Sequence, residues 1–257
     1  MNQAVASFHD LAGKSVFISG GGSGIGEVLV RGFLEQGCRV GFVDKLDSSA
    51  LCDTLENETG ARPFFVECDV CDIESYKRAI AEAAQANGAI SVLVNNAAWD
   101  NRQNLDSMTP DDFDHIIQVN LRHHFFAIQA VAPAMKTNGG GSVINYSSTS
   151  YMMGIAGLSA YIAAKAAITG MTRSLARELG PDNIRVNAIM PGWVMTKRQK
   201  ELWVTREAVA NHLDRQCLKA EMQPQDMVAP TLFLASEASR MMTGQALVVD
   251  AGVVVSG

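Results

Sequence analysis

Short, nearly continuous apolar and β-branched runs alternate along the chain with longer stretches whose apolar residues recur every three or four positions. The runs are Val16–Ser19, Val40–Val43, Phe64–Glu67, Val92–Val94, Val143–Asn145, Arg185–Ile189 and Ala246–Val249. Their unbroken apolar character suits strands buried on both faces. Strand and helix taking turns implies parallel strands joined by right-handed crossovers. The pattern therefore predicts an α/β, doubly wound fold: a seven-stranded parallel sheet with helices on both faces.

The helix boundaries are legible. Thr109-Pro110-Asp111-Asp112 offers an N-cap, a proline at the first helical position and acids in the first turn. Apolar spacing then runs through Phe113, Ile116, Ile117 and Leu121, which predicts one long helix. Gly180-Pro181 stops a later helix, and Gly139-Gly140-Gly141 is a loop before the fifth strand. No repeat, low-complexity tract or linker divides the chain, so one domain is expected over 1–257. Lys197 to Gln225 is charged, has helical spacing and contains Pro224. It predicts a helical flap at about 197–224 over the site, of the kind that excludes water.

Composition narrows the classes. The chain has 257 residues, 47% of them hydrophobic, and a net charge of −6. That balance suits a globular enzyme and argues against a nucleic-acid partner, which calls for a basic face. No apolar run approaches the ~20 residues that span a bilayer. The first fourteen residues carry His9, Asp10 and Lys14 without an apolar signal core, so a short tail and a cytoplasmic location are expected. Five cysteines in no framework spacing fit reduced thiols. Cys68 and Cys71 form a C-x-x-C without a second ligand pair, and His123-His124 lacks an acidic partner at ligand spacing, with neighbouring helix positions facing different ways. No metal site is expected. Met152-Met153 and Met241-Met242 are expected to fill core or pocket.

The first candidate chemistry is a glycine-rich turn, Ser19-Gly20-Gly21-Gly22-Ser23-Gly24-Ile25-Gly26, between a strand and a helix. Gly20, Gly24 and Gly26 permit a tight turn and close approach to a pyrophosphate, and the helix start following Ser23, with Ile25, presents free N–H groups. Alone, this spacing is a weak signal. Asp44 ends the second strand, where a carboxylate accepts from an adenosine ribose and repels a 2′-phosphate. It argues for NAD as cofactor, although Lys45 beside it is a cation that tolerates a phosphate. Asp69, with Val70, is an expected adenine contact, and Asn96 and Ala97 after the fourth strand are expected on the ribose side.

The second is a proton-transfer set. Tyr161 and Lys165 are four apart and share a helix face. A free tyrosine titrates near ~10, and an adjacent ammonium favours its phenolate. Ser148 can donate to a reacting oxygen. Asn120, inside an apolar helix, can break the hydrogen-bond ladder and hold a water for a proton relay. Each pattern arises by chance in other helices and loops. Their occurrence together with the glycine turn points to hydride transfer.

On these residues the chain resembles the short-chain dehydrogenase/reductase family, in its compact single-domain subclass with a Rossmann-type fold. The motifs are Ser19–Gly26, Asn95–Ala98, Asn120, Ser148, Tyr161–Lys165 and Pro191-Gly192-Trp193-Val194-Met195-Thr196, and the likeness runs from about Gly13 to Gly252. It implies a catalytic tetrad of Asn120, Ser148, Tyr161 and Lys165. It places Pro191, Gly192, Val194 and Thr196 on the cofactor, with Val194 and Thr196 at the nicotinamide carboxamide. Ser19 stands where the family usually has threonine, and Ala98 where it usually has glycine. A homotetramer packed through the Asp111 and Ser159 helices is the family expectation.

Trp99–Gln103, Asn120–His123, Ala132–Lys136, Thr196–Gln199 and Gln216–Lys219 are further similar to bacterial sugar dehydrogenases that oxidise an aldose at its anomeric carbon, of the galactose, arabinose, fucose or xylose type. A sugar site mixes hydrogen-bonding groups with aromatic walls. Asp100, Asn101, Arg102, Lys197 and Gln199 are candidates for the former. Trp99, Tyr151 and Trp193 are candidates for the latter, while Ser148 and Tyr161 meet the anomeric hydroxyl. The expected product is an aldonolactone. An NADPH-dependent carbonyl reductase and a non-catalytic dinucleotide sensor stay open as alternatives.

Overall fold

The computed structural model describes residues 6–255, so the first five residues of the expected N-terminal tail lie outside it. Seven strands form one sheet: β1 (Ser15–Ser19), β2 (Arg39–Asp44), β3 (Phe64–Glu67), β4 (Val92–Asn95), β5 (Gly141–Tyr146), β6 (Ile184–Pro191) and β7 (Ala246–Val249). Every pairing is parallel and the order is β3-β2-β1-β4-β5-β6-β7. β5 and β6 run further than their apolar cores, because neighbouring strands give ladder partners to Gly141, Ser142 and Pro191. The order reverses between β1 and β4, which opens a crevice at the carboxyl ends of the strands.

The helices are α1 (Gly24–Glu35), α2 (Ser49–Thr59), α3 (Ile73–Asn87), α4 (Pro110–Ile117), α5 (His123–Thr137), α6 (Ser150–Met153), α7 (Ser159–Leu179), α8 (Lys197–Leu202), α9 (Arg206–Arg215) and α10 (Val228–Ala235). They cover both faces. Val16 and Ile18 of β1 join the core with Leu29 and Phe33 of α1 and Leu232 of α10. Phe17, between them, joins Tyr76 of α3, Ile128 of α5 and Leu175 of α7 on the other face. Burying each such side chain stabilises the fold by about 1.5–3 kcal/mol.

Thr109 caps α4 as its sequence predicts, accepting from the Asp112 N–H at 3.1 Å within a full capping box. The long helix is interrupted, however. Asn120 Nδ2 donates to the Ile116 carbonyl at 2.9 Å, the acceptor that the Asn120 backbone N–H would use in an α-helix. A five-residue π-turn, Gln118–Arg122, results, and α5 continues from it. No described helix is long and apolar enough to cross a membrane.

Candidate active site

The glycine turn leaves β1 and enters α1. Gly20 has φ +68° and Gly24 φ +59°, the left-handed region that favours glycine. A Cβ on Gly26 would collide with the Gly20 carbonyl, so the turn closes only without one. Ser23, the N-cap of α1, makes no side-chain cap bond, and the positive end of the helix is left open toward the crevice. Ser19 Oγ, standing where threonine is usual, accepts from the Asn96 and Ala97 N–H groups at 3.1 Å each. Asn96 Nδ2 returns a hydrogen bond to the Gly20 carbonyl at 2.9 Å. The β4 turn and the glycine turn are thus one braced unit.

Asp44 Oδ2 accepts from the Gly22 N–H at 2.8 Å, so its carboxylate sits on the glycine turn at the end of β2. Lys45 does not stand free beside it. Its ammonium pairs with Asp69 at 2.7 Å, and Asp69 also accepts from the Cys71 N–H at 2.9 Å. Val70 is buried next to this pair. An open helix start, a turn that excludes side chains and a carboxylate at the far end fit a nicotinamide dinucleotide.

The chemical half lies at the other end of the crevice, in a cavity of about 430 Å³ lined by Asn96, Ser148, Tyr161, Lys165, Val194 and Thr196 among others. Ile25, Pro191 and Gly192 reach it as well. Thr149 Oγ1 donates to the Pro191 carbonyl at 3.1 Å, and Ser147 Oγ to the Lys165 carbonyl at 2.7 Å. These bonds tie the Ser148 segment to β6 and α7. Lys165 is buried, and its ammonium donates to the Tyr146 carbonyl at 2.8 Å and lies 5.6 Å from the Tyr161 ring centre. Burial pushes the ammonium down to about 7. Burial, with the Asp100 charge adding to it, raises the Tyr161 phenol well above its ordinary value, against a hydrogen bond from Ser148. In the chain by itself Lys165 does not depress Tyr161 as its position predicts, and the one lowering influence is Ser148. Desolvation disfavours both charged forms.

Asn120 also differs in detail from the expectation. Its Oδ1 accepts from the Trp99 N–H at 2.9 Å, and its Nδ2 donates to the Trp99 carbonyl at 3.0 Å as well as to Ile116. Both amide hydrogens are used, which leaves one oxygen lone pair for a water. The side chain's first effect is to brace the segment after β4.

The expected substrate residues divide. Asp100, Arg102, Trp193 and Gln199 line the cavity. Asp100 is gripped by Gln199 Nε2 and by Arg198 Nε at 3.2 Å, and Trp193 Nε1 donates to Gln199 at 2.9 Å. Lys197, in contrast, is 90% exposed and leans toward Glu201. As the first residue of α8 it points away from the cavity that Gln199 faces. Tyr151 turns its hydroxyl to the Met190 sulfur at 3.6 Å, and Trp99 packs on His115. Asn101 accepts from Arg198 at 3.4 Å. Trp203, with the Arg102 guanidinium 4.3 Å over its ring, and Asn211, His212 and Arg215 of α9 complete the wall. Sequence reasoning missed these four. Their only signal was the helical spacing of the expected flap. Met153 lines the cavity, whereas Met241 is exposed rather than buried.

Comparison with known proteins agrees with this geometry. A family model described as enoyl-(acyl carrier protein) reductase matches residues 20–254. The chain is 48% identical over 250 residues to the "Probable galactose dehydrogenase GalD" of Rhizobium meliloti (strain 1021), covering 96% of this chain and 98% of that one. It is 46% identical, at the same coverage, to the D-xylose 1-dehydrogenase of Caulobacter vibrioides. Among solved structures it superposes with TM-score 0.89 on a 7α-hydroxysteroid dehydrogenase complexed with NADH and 7-oxo glycochenodeoxycholic acid, at 31% identity over 94% of each chain. A blue fluorescent protein from a metagenomic library, in complex with NADPH, gives 0.87 at 33% identity over 96% of this chain and all of that one. The glycine turn, the Tyr161–Lys165 pair and these likenesses over nearly the whole length place the chain in the short-chain dehydrogenase/reductase family of oxidoreductases.

Proposed function

We propose that the chain oxidises the anomeric hydroxyl of an aldose to the aldonolactone, with NAD as oxidant. The observation that carries the reading is the convergence of Tyr161, Ser148 and Lys165 on a cavity whose far wall offers hydrogen-bonding groups and indole faces. Similarity to the galactose and D-xylose dehydrogenases supports it.

Held along the glycine turn and Asp44, NAD would supply the hydride acceptor. Ser148 donates to the anomeric oxygen, and Tyr161, as tyrosinate, takes the hydroxyl proton while the anomeric hydrogen leaves carbon with its bonding pair as hydride. Lys165, fixed by the Tyr146 carbonyl, stabilises the tyrosinate that accepts the proton. The proton leaves past Lys165 and a water on Asn120. General base catalysis of this kind supplies about 10²–10⁴-fold, and positioning much of the remainder. Asp100, Arg102, Gln199 and Trp193 orient the sugar. Asp44 selects NAD over NADP, and the engagement of Lys45 by Asp69 removes the nearest cation that a 2′-phosphate would use. The working unit is one catalytic domain with α8 and α9 as flap, as a cytoplasmic homotetramer.

The test is a panel of aldoses (galactose, fucose, arabinose and xylose among them) with NAD and with NADP, read as NADH or NADPH absorbance. Oxidation of at least one aldose with NAD as the better cofactor is expected. No turnover on any aldose by a protein that still binds NADH would overturn the reading.

A further inference from the structure

His123 and His124 have no place in the proton-transfer scheme, yet both are fully buried. They do not point to separate faces. Their rings pack together with centroids 4.4 Å apart, and His123 meets the Tyr76 ring edge-on at 5.9 Å. Burying an imidazole is costly unless its polar atoms find partners. His123 has one. Its Nε2 lies 3.1 Å from the Ala97 carbonyl. A carbonyl oxygen only accepts, so Nε2 carries the hydrogen and Nδ1 is bare. Burial, with the Lys165 charge adding to it, drives the imidazole down to about 3, against the pull of the Ala97 and Val119 carbonyls. Tyr76, His124 and Lys165 are the titratable groups around it, and the ring is neutral across the physiological range.

Ala97 is no ordinary anchor. Its N–H is held by Ser19 Oγ, and its Cα lies 2.8 Å from where a Cβ on Gly20 would stand. The β4 turn therefore presses directly on the glycine turn. Two side chains at the π-turn hold that segment from beneath: Asn120 grips Trp99 through both its N–H and its carbonyl, and His123 grips Ala97. Ala98 lies between the two grips and lines the cavity.

We infer that His123 is a positioning residue for the cofactor: its neutral Nε2–H fixes the Ala97 carbonyl, and through it the seam between the β4 turn and the glycine turn. The inference rests on the proposed dinucleotide site but not on the sugar.

Two measurements test it. In His123→Phe the ring is kept and the donor lost, leaving a buried carbonyl unpaired. NADH should bind about tenfold more weakly, with KM for NAD rising far more than kcat falls. His123→Gln, whose amide can reach the same carbonyl, should stay within about threefold of the parent. In the parent protein, ¹⁵N-histidine spectra should show an Nε2–H tautomer that does not titrate between about pH 5 and 8, and its signals should move on adding NADH. NADH affinity unchanged in folded His123→Phe would overturn the inference. So would an Nδ1–H tautomer, or a His123 signal indifferent to NADH, whether or not the phenylalanine variant folds. Failure of NADH to bind the parent would instead count against the dinucleotide site itself.

Discussion

Lys165 donates its buried ammonium to the Tyr146 carbonyl at 2.8 Å, across from β5 rather than along its own helix. The bond aims the charge at the Tyr161 ring and holds it where burial weakens it. Folding therefore shifts the titration of Lys165 from its ordinary 10.5 to about 7.

That shift fixes a pH dependence of stability. Between about pH 7 and 10.5 the unfolded chain binds a proton that folded Lys165 has released, so the Lys165 contribution to stability rises with pH across this window. Cys38, Cys52, Cys68 and Cys71, raised by burial, work the other way once unfolded thiols ionise near ~8.5, and the raised Tyr161 does so once an unfolded tyrosine ionises near ~10. The urea midpoint of the cofactor-free protein should climb from pH 7 toward about 8.5, where the thiols begin to offset it, and Lys165→Met should flatten the climb. An equal climb in the methionine variant would show that Lys165 is not its source.

Tyr161→Phe removes the hydroxyl and little else from a half-buried ring. Turnover should fall by about 10²–10⁴-fold while NADH affinity stays within about threefold of the parent. Stopped-flow turnover and fluorescence titration of NADH separate the two. Near-native turnover would mean that another group moves the proton.

Gly26→Ala places a methyl group against the Gly20 carbonyl, which is backbone and cannot rotate away. The glycine turn must open, and NADH affinity should drop about tenfold or more. Calorimetric titration would show it, with circular dichroism to confirm that the sheet persists.

Asp44→Ser deletes the carboxylate that accepts from Gly22 while keeping a hydroxyl for the ribose. The ratio of kcat/KM for NADP over NAD should rise about tenfold or more. An unmoved ratio would place the discrimination elsewhere.

Asp100 links the segment after β4 to α8 through Arg198 and Gln199, and its charge helps to raise Tyr161. In Asp100→Asn the phenol should ionise more readily, so the rising limb of the pH–kcat profile should move to lower pH. KM for the sugar should increase as the grip on Gln199 loosens. A limb that stays in place would show that the Asp100 charge does not reach the phenol.

The strand–helix alternation, the cap at Thr109, the glycine turn and the spacing of Ser148, Tyr161 and Lys165 were all written in local sequence. They follow from rules that act over a few residues: apolar periodicity, side-chain caps, and the absence of a Cβ where backbone meets backbone. For that reason the doubly wound architecture was legible in the sequence alone, as was the grouping of Ser148, Tyr161 and Lys165 that the fold brings to one cavity. Tertiary packing decided the rest. It cut the long helix at Asn120, because the carboxamide found Trp99 and Ile116 together. It sent Lys197 to solvent and turned Tyr151 to Met190, since one residue's step around a helix is enough to swing a side chain away from the cavity. It paired Lys45 with Asp69, put Trp203 and His212 over the cavity, and raised Tyr161 where adjacency to a lysine alone implies the reverse. Spacing along a chain tells which residues can meet. Only the packed molecule fixes how much water each of them has lost, and that loss sets the charges at the site.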